Sequence, residues 1–147
     1  MKFRSTRHKR AFMQAVGTVS DRHELFAAAL YLLTADAKVW KVMKSRIRDG
    51  DIHFEQVRFD SISESGYALF CAAKDLYLGT QLLSIADMAD DDLISPRAYA
   101  TICYAIAIGR GIKRLPEESA GQAGSKEKGG GRKIGKTPAT KIQEEED

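Results

Sequence analysis

Residues 63–79, SESGYALFCAAKDLYLG, decide the fold. Ser63 or Ser65 offers an N-cap, because a serine oxygen accepts a backbone N–H that the first helical turn leaves unpaired. Gly79 stands where a helix stops, since glycine enters the left-handed conformation without a Cβ clash. Between them Gly66, Leu69, Phe70, Ala73, Leu76 and Tyr77 recur at helical intervals along one face. Cys71 and Leu78 widen that face, Ala68 and Ala72 are small, and only Lys74 and Asp75 call for water. A helix apolar over this much of its circumference needs helical neighbours on more than one side. The stretch is therefore expected at the centre of an all-α bundle.

Upstream, the same signals recur. Ser5 opens a first helix over residues 5–17, with Phe12, Met13 and Val16 as its apolar face and Gly17 at its end. Asp21 and Glu24 have the spacing of a capping box and open a second helix. Leu25, Phe26, Ala29, Leu32 and Leu33 then follow at helical intervals, and this helix is the expected partner of the central one. Residues 34–36 break it, and Asp36 caps a third helix whose inner face is Val39, Trp40, Met43 and Ile47. Lys41, Lys44 and Arg48, with Lys38 beside them, run down its other side. Residues 49–51, Asp-Gly-Asp, form a turn. The segment 52–62 partly alternates like a strand, but a lone strand has nothing to pair with, so a helical turn and an extended connection are expected there.

Downstream, Ser84 caps a short helix that closes before the acidic run Asp90-Asp91-Asp92. Ser95-Pro96 starts a last helix, with serine as cap and proline at the first helical position. Its apolar face is read as Tyr99, Ile102, Cys103 and Ile106. Beyond it, large apolar residues almost vanish. A segment of that composition cannot bury enough surface to offset its ordering entropy, so residues 116–147 are expected to form a disordered Gly/Lys/Glu-rich tail after a helical domain over 1–115. The tail's six Lys/Arg nearly balance its seven Asp/Glu, so the basic excess of the chain belongs to the folded part.

Several function classes find no support. No run approaches the roughly 18 apolar residues of a membrane span, and the basic start MKFRSTRHKR is not followed by a signal-peptide core. A cytoplasmic protein is expected. Cys71 and Cys103 both fall in helical apolar patterns and read as buried, reduced thiols. The three histidines, His8, His23 and His53, are scattered, and no metal-ligand, nucleophile or dinucleotide motif appears. The acidic run 90–92 reads as a solvated loop, since adjacent carboxylates point in different directions. Residues 130–137, GGRKIGKT, match the letters of a phosphate-binding loop. That loop needs a buried strand before it and a helix after it. Here Ser125-Lys126-Glu127-Lys128 precedes and Pro138 follows, so nucleotide binding is not expected there and no cofactor is called for.

The functional hints are basic. Arg4, Arg7, Lys9 and Arg10 crowd the start of the first helix, where positive charge opposes the helix macrodipole. Lys38, Lys41, Lys44 and Arg48 make the stripe on the third. Both groups fit solvated helix faces, and both could meet an anionic partner such as nucleic-acid phosphate.

The order of features resembles an uncharacterised family of small helical proteins carried by phages and conjugative elements of Gram-positive bacteria. The likeness rests on Phe3, Ser5 and His8, on residues 29–33 (Ala-Leu-Tyr-Leu-Leu), and on Ala72 with residues 75–79 (Asp-Leu-Tyr-Leu-Gly), similar to that family's Leu-Ala-Phe-Asn-Leu-Tyr-Asn-Gly block. It covers roughly residues 3–110. Where the family carries Trp-Gln-Thr before the central helix, this chain has Ser61-Ile62-Ser63, and Asp75 and Leu78 replace family asparagines. The resemblance implies a helical fold and a mobile-element origin, without an activity. The expectation is thus an all-α bundle of five or six short helices, acting as a non-catalytic binding or adaptor protein. Its first expected partner is another protein, and inhibition of a host defence protein is one form this would take. A small nucleic-acid-binding accessory protein is the alternative, and a helical enzyme comes third.

Overall fold

Ten consecutive residues, 26–35 (FAAALYLLTA), are buried without interruption. They belong to the helix α2, Glu24–Ala35, and the other helices are arranged around it. In the computed structural model, described here for residues 1–17 and 23–112, six α-helices form the bundle. They are α1 (Thr6–Gly17), α2, α3 (Ala37–Met43), α4 (Glu64–Leu78), α5 (Ile85–Met88) and α6 (Pro96–Gly109). The all-α class is as expected, but its centre is not. α4 buries residues 66 and 68–73, while Lys74, Asp75, Leu76 and Tyr77 are only half-buried and Leu78 is exposed. α2 displaces it because Ala27, Ala28 and Ala29 let α4 and α6 approach from different sides, with Phe26, Leu30, Leu32 and Leu33 filling the gaps between them.

The caps follow the local chemistry. Ser5 Oγ accepts the His8 N–H at 3.0 Å and opens α1. Asp36 Oδ1 accepts from the N–H groups of Lys38 and Val39 at 2.9 and 3.0 Å, opening α3. Ser63, rather than Ser65, caps α4 by accepting from Gly66 N–H at 3.0 Å, and Gly79 closes it in the left-handed region at φ 77°. Ser84 and Asp87 form a reciprocal capping box on α5, and Ser95 accepts from Ala98 N–H on α6. α2 starts on His23, whose ring accepts the Phe26 N–H. The expected cap Asp21, the tail 116–147 and the phosphate-loop letters at 130–137 lie outside the described residues.

Bulk misdirects two faces. α1 buries His8, Ala11, Phe12, Ala15 and Val16, leaving Met13 at the surface. α6 buries Ala98, Thr101, Ile102, Ala105 and Ile108. Tyr99, Cys103 and Ile106, expected inside, are exposed. Small residues on α6 meet the alanines of α2, and close backbone approach outweighs the burial of larger side chains. The hydroxyls this buries are satisfied along their own helices: Thr101 donates to Arg97 O and Thr34 to Leu30 O, at 2.8 and 2.6 Å.

The segment between α3 and α4 also departs from expectation. α3 ends at Met43, a 3-10 turn covers Lys44–Arg46, and a two-residue strand β1 (Ile47–Arg48) pairs antiparallel with β2 (Asp51–Ile52). The loop residues Asp49 and Gly50 both have positive φ, 58° and 72°, as a type I′ hairpin requires. The partner that a lone strand lacked is this hairpin's own other arm. No helix follows; a turn at residues 55 and 56 interrupts a connection over 53–62 that is otherwise extended and bent. Phe54 and Phe59 anchor this connection edge-on against Phe70 of α4, at ring separations of 5.6 and 5.0 Å.

Candidate functional site

The connection 57–62 is anchored on α4 through Phe59 and, together with residues 82–93, borders an open groove of about 710 Å³. Ala68 and Cys71 of α4 form its floor and are buried, while Phe59, Ile62 and Leu83 form its half-buried sides. Tyr67, 54 % exposed, lies along it with its ring stacked on Phe70 at 6.2 Å. Leu82 and Leu93, both also exposed, complete an apolar lip. The charged residues lining it are Asp60, Glu64 and Asp87, all acidic.

Asp75 builds one wall of this groove. Expected in solvent, it is half-buried, and its carboxylate accepts the Thr80 hydroxyl and the Leu82 N–H at Oδ1 and the Leu83 N–H at Oδ2, at 2.6, 2.8 and 2.9 Å. The chain leaving α4 is thereby folded back beside its own helix. The opposite wall is fixed by Arg46, whose guanidinium donates to the carbonyls of Glu55 and Gln56 at 2.7 and 3.2 Å. Gln56 takes a positive φ of 58° in that turn.

The nominated basic residues divide. Arg4 and Arg7 converge, and they are joined by Arg97 from the start of α6, which sequence spacing had no means of bringing to them. Arg97 donates to Arg4 O at 3.0 Å and Arg7 to Thr34 O at 2.8 Å. Lys9 and Arg10 are exposed further along α1, and Lys38 and Lys41 are exposed on α3. Lys44 belongs to the 3-10 turn and Arg48 to β1, so the expected stripe is spread over three elements and does not form one helix face.

Three further groups carry chemistry-bearing side chains. His8 is fully buried: its Nδ1 accepts the Arg4 N–H at 3.1 Å and its Nε2 lies 2.8 Å from Tyr31 O, the pattern of a neutral imidazole donating from Nε2. Burial outweighs that last bond and holds its pKa down at about 4. Cys71 is buried as expected, and burial pushes its thiol up from the usual value. Asp90, Asp91 and Asp92 cluster at the surface with their carboxylates exposed. Among the described residues no helix is long and apolar enough to cross a membrane. No protein-family model matches this chain, and no curated protein or solved structure does.

Proposed function

We propose that this chain is a non-catalytic binding protein whose groove beside α4 takes a basic, amphipathic segment of a partner protein. The observation that carries the reading is the pairing of an exposed apolar lip, Tyr67, Leu82 and Leu93, with a lining whose charges are all acidic. Apolar anchors supply affinity in such grooves, and complementary charge selects and orients the incoming segment. Asp75 and Arg46 hold the two walls in place before binding, which lowers the entropic cost of association. The non-catalytic part of the reading is supported by His8, whose ring nitrogens are both used in structural hydrogen bonds. The resemblance to proteins of phages and conjugative elements supports placing the partner among host proteins, a defence protein being the target this reading favours.

The test compares two labelled helical peptides of identical apolar pattern, one of Lys and Leu and one of Glu and Leu, by fluorescence anisotropy. The Lys/Leu peptide binds the wild type at least about tenfold more tightly, a difference of about 1.4 kcal/mol. Tyr67→Asp abolishes that binding, and the pair Asp60→Lys with Glu64→Lys reverses the preference. Equal binding of both peptides, or concentration-dependent dimerisation abolished by Tyr67→Asp, overturns the reading.

A further inference from the structure

The starts of α1, α4 and α6 and the junction of α2 with α3 meet at one end of the bundle. Arg97 bonds to Arg4 O, Arg7 to Thr34 O, and Ser65 to Ser95. Three guanidiniums are crowded there, and among the described residues none has a carboxylate within ion-pair distance. Asp36 is the acidic group whose charge Arg4 senses, but it is already engaged. Its Oδ1 caps α3, and its Oδ2 packs against Gly66 at the start of α4. Among the described residues Arg7 and Arg97 each spend one N–H on a carbonyl, which leaves most of their donors without a partner there.

Beside the arginines lies a depression of about 500 Å³, lined by Lys2, Phe3, Arg4, Tyr31, Arg97 and Tyr104 among others. Its wall is built. The Tyr31 hydroxyl donates to Lys2 O at 2.5 Å, and Lys2 N–H donates to the Tyr104 hydroxyl at 2.7 Å. The N-terminal residues are thereby pinned between α2 and α6, with the Phe3 ring 5.1 Å from His8 and 5.8 Å from Tyr31.

We propose that this depression binds a small phosphate monoester carrying a flat ring, with Arg4 and Arg97 on the phosphate and Phe3 and Tyr104 against the ring. Guanidiniums match phosphate oxygens in paired hydrogen bonds, and a dianion balances charge that the described residues leave uncompensated. The volume falls within the range of small-ligand pockets, about 300–1,000 Å³. A depression of this size with two arginines on its lining suits one phosphate and one ring. A nucleic-acid strand needs a continuous basic track, and among the described residues Lys38, Lys41, Lys44 and Arg48 lie on other elements than this cluster.

Isothermal titration of the full chain with adenosine monophosphate, inorganic phosphate, adenosine and a short thymidine oligonucleotide tests this. The monophosphate binds at least about tenfold more tightly than inorganic phosphate or adenosine alone. Arg97→Gln weakens it at least about tenfold, and Arg97→Lys, which keeps the charge but loses the planar fork, weakens it nearly as much. Lys41→Gln leaves it unchanged, and circular dichroism shows all three variants folded. Absence of monophosphate binding at millimolar concentration overturns the proposal, as does binding indifferent to Arg97→Gln. Tighter binding of the oligonucleotide that depends on Lys41 overturns it in favour of a nucleic-acid surface.

Discussion

His8 shows how a residue's role depends on what lies across from it. In the sequence it is one of three scattered histidines. In the fold it is fully buried, bridging Arg4 N–H and Tyr31 O. Its pKa of about 4 in the fold lies below the ordinary 6.5, so the unfolded chain binds the extra proton first. Stability from this group is complete above about pH 6.5 and is lost as pH falls toward 4, by roughly 3 kcal/mol in total. Between pH 6.5 and 5 the expected loss is about 1.5 kcal/mol, read as a falling urea midpoint. His8→Gln keeps a donor for Tyr31 O but cannot titrate; it is less stable at neutral pH by about 1–3 kcal/mol and lacks that slope. A wild type whose midpoint is flat over this range contradicts the assignment. The cysteines separate on the same grounds. Cys103 is exposed on α6 and Cys71 is buried, so iodoacetamide labels Cys103 rapidly in the native protein and Cys71 only after denaturant is added.

Among the elements, helix ends were legible and faces were not. Asp36, Ser63, Gly79, Ser84 and Ser95 all act at the helix ends where the sequence put them, because capping is decided within three or four residues. The buried face of α6 was misread, because its pattern contains two helical stripes and only the alanines of α2 choose between them. The hairpin of β1 and β2 left no periodicity, having two residues per strand, although Asp49-Gly50 carried its turn signature. Gly66 ties two correctly read caps together in a way no local rule shows. A Cβ built there would lie 2.9 Å from Asp36 Oδ2 and 3.2 Å from its Cγ. Helix propensity alone makes Gly66→Ala stabilising by about 1 kcal/mol. Displacing the Asp36 cap costs about 0.5–2 kcal/mol, and the forced contact adds to it, so net destabilisation of about 1 kcal/mol is expected. In an Asp36→Ala background the same substitution becomes neutral or stabilising. A double-mutant cycle in urea measures this, and additivity of the two changes contradicts the contact.

At the scale of the whole molecule, the class was legible because periodicity and caps agreed along the chain, whereas the centre was not. α4 looked more completely apolar than α2 only while Leu76, Tyr77 and Leu78 were counted as buried. Leu32→Ala and Leu69→Ala should therefore each cost about 2–5 kcal/mol, and Leu76→Ala distinctly less. The candidate sites were legible only in part, since Arg97 joins Arg4 across 93 positions and the groove's walls meet only in three dimensions. The same long-range placement sets the electrostatics of the fold. Among the described residues the one contact of ion-pair length is His53 with Glu55, at 3.3 Å, and it carries opposite charges only when the imidazole is protonated. Attractive pairs thus contribute little, while Arg4, Arg7 and Arg97 repel one another at one end. Screening weakens repulsion over distances near the Debye length, about 30 Å at 0.01 M salt and about 10 Å at 0.1 M. Sodium chloride from about 0.01 to 0.1 M should therefore stabilise this protein by a few tenths of a kcal/mol, raising Tm by about 1–4 °C for a domain of this size. A fold held by surface ion pairs would respond in the opposite direction. Arg97→Gln removes one of the crowded charges, so its Tm at low salt should rise and its further gain with salt should shrink. Scanning calorimetry of both proteins across the salt series decides the matter, and a wild-type Tm that falls as salt is added rules out repulsion at the arginine end as the dominant electrostatic effect.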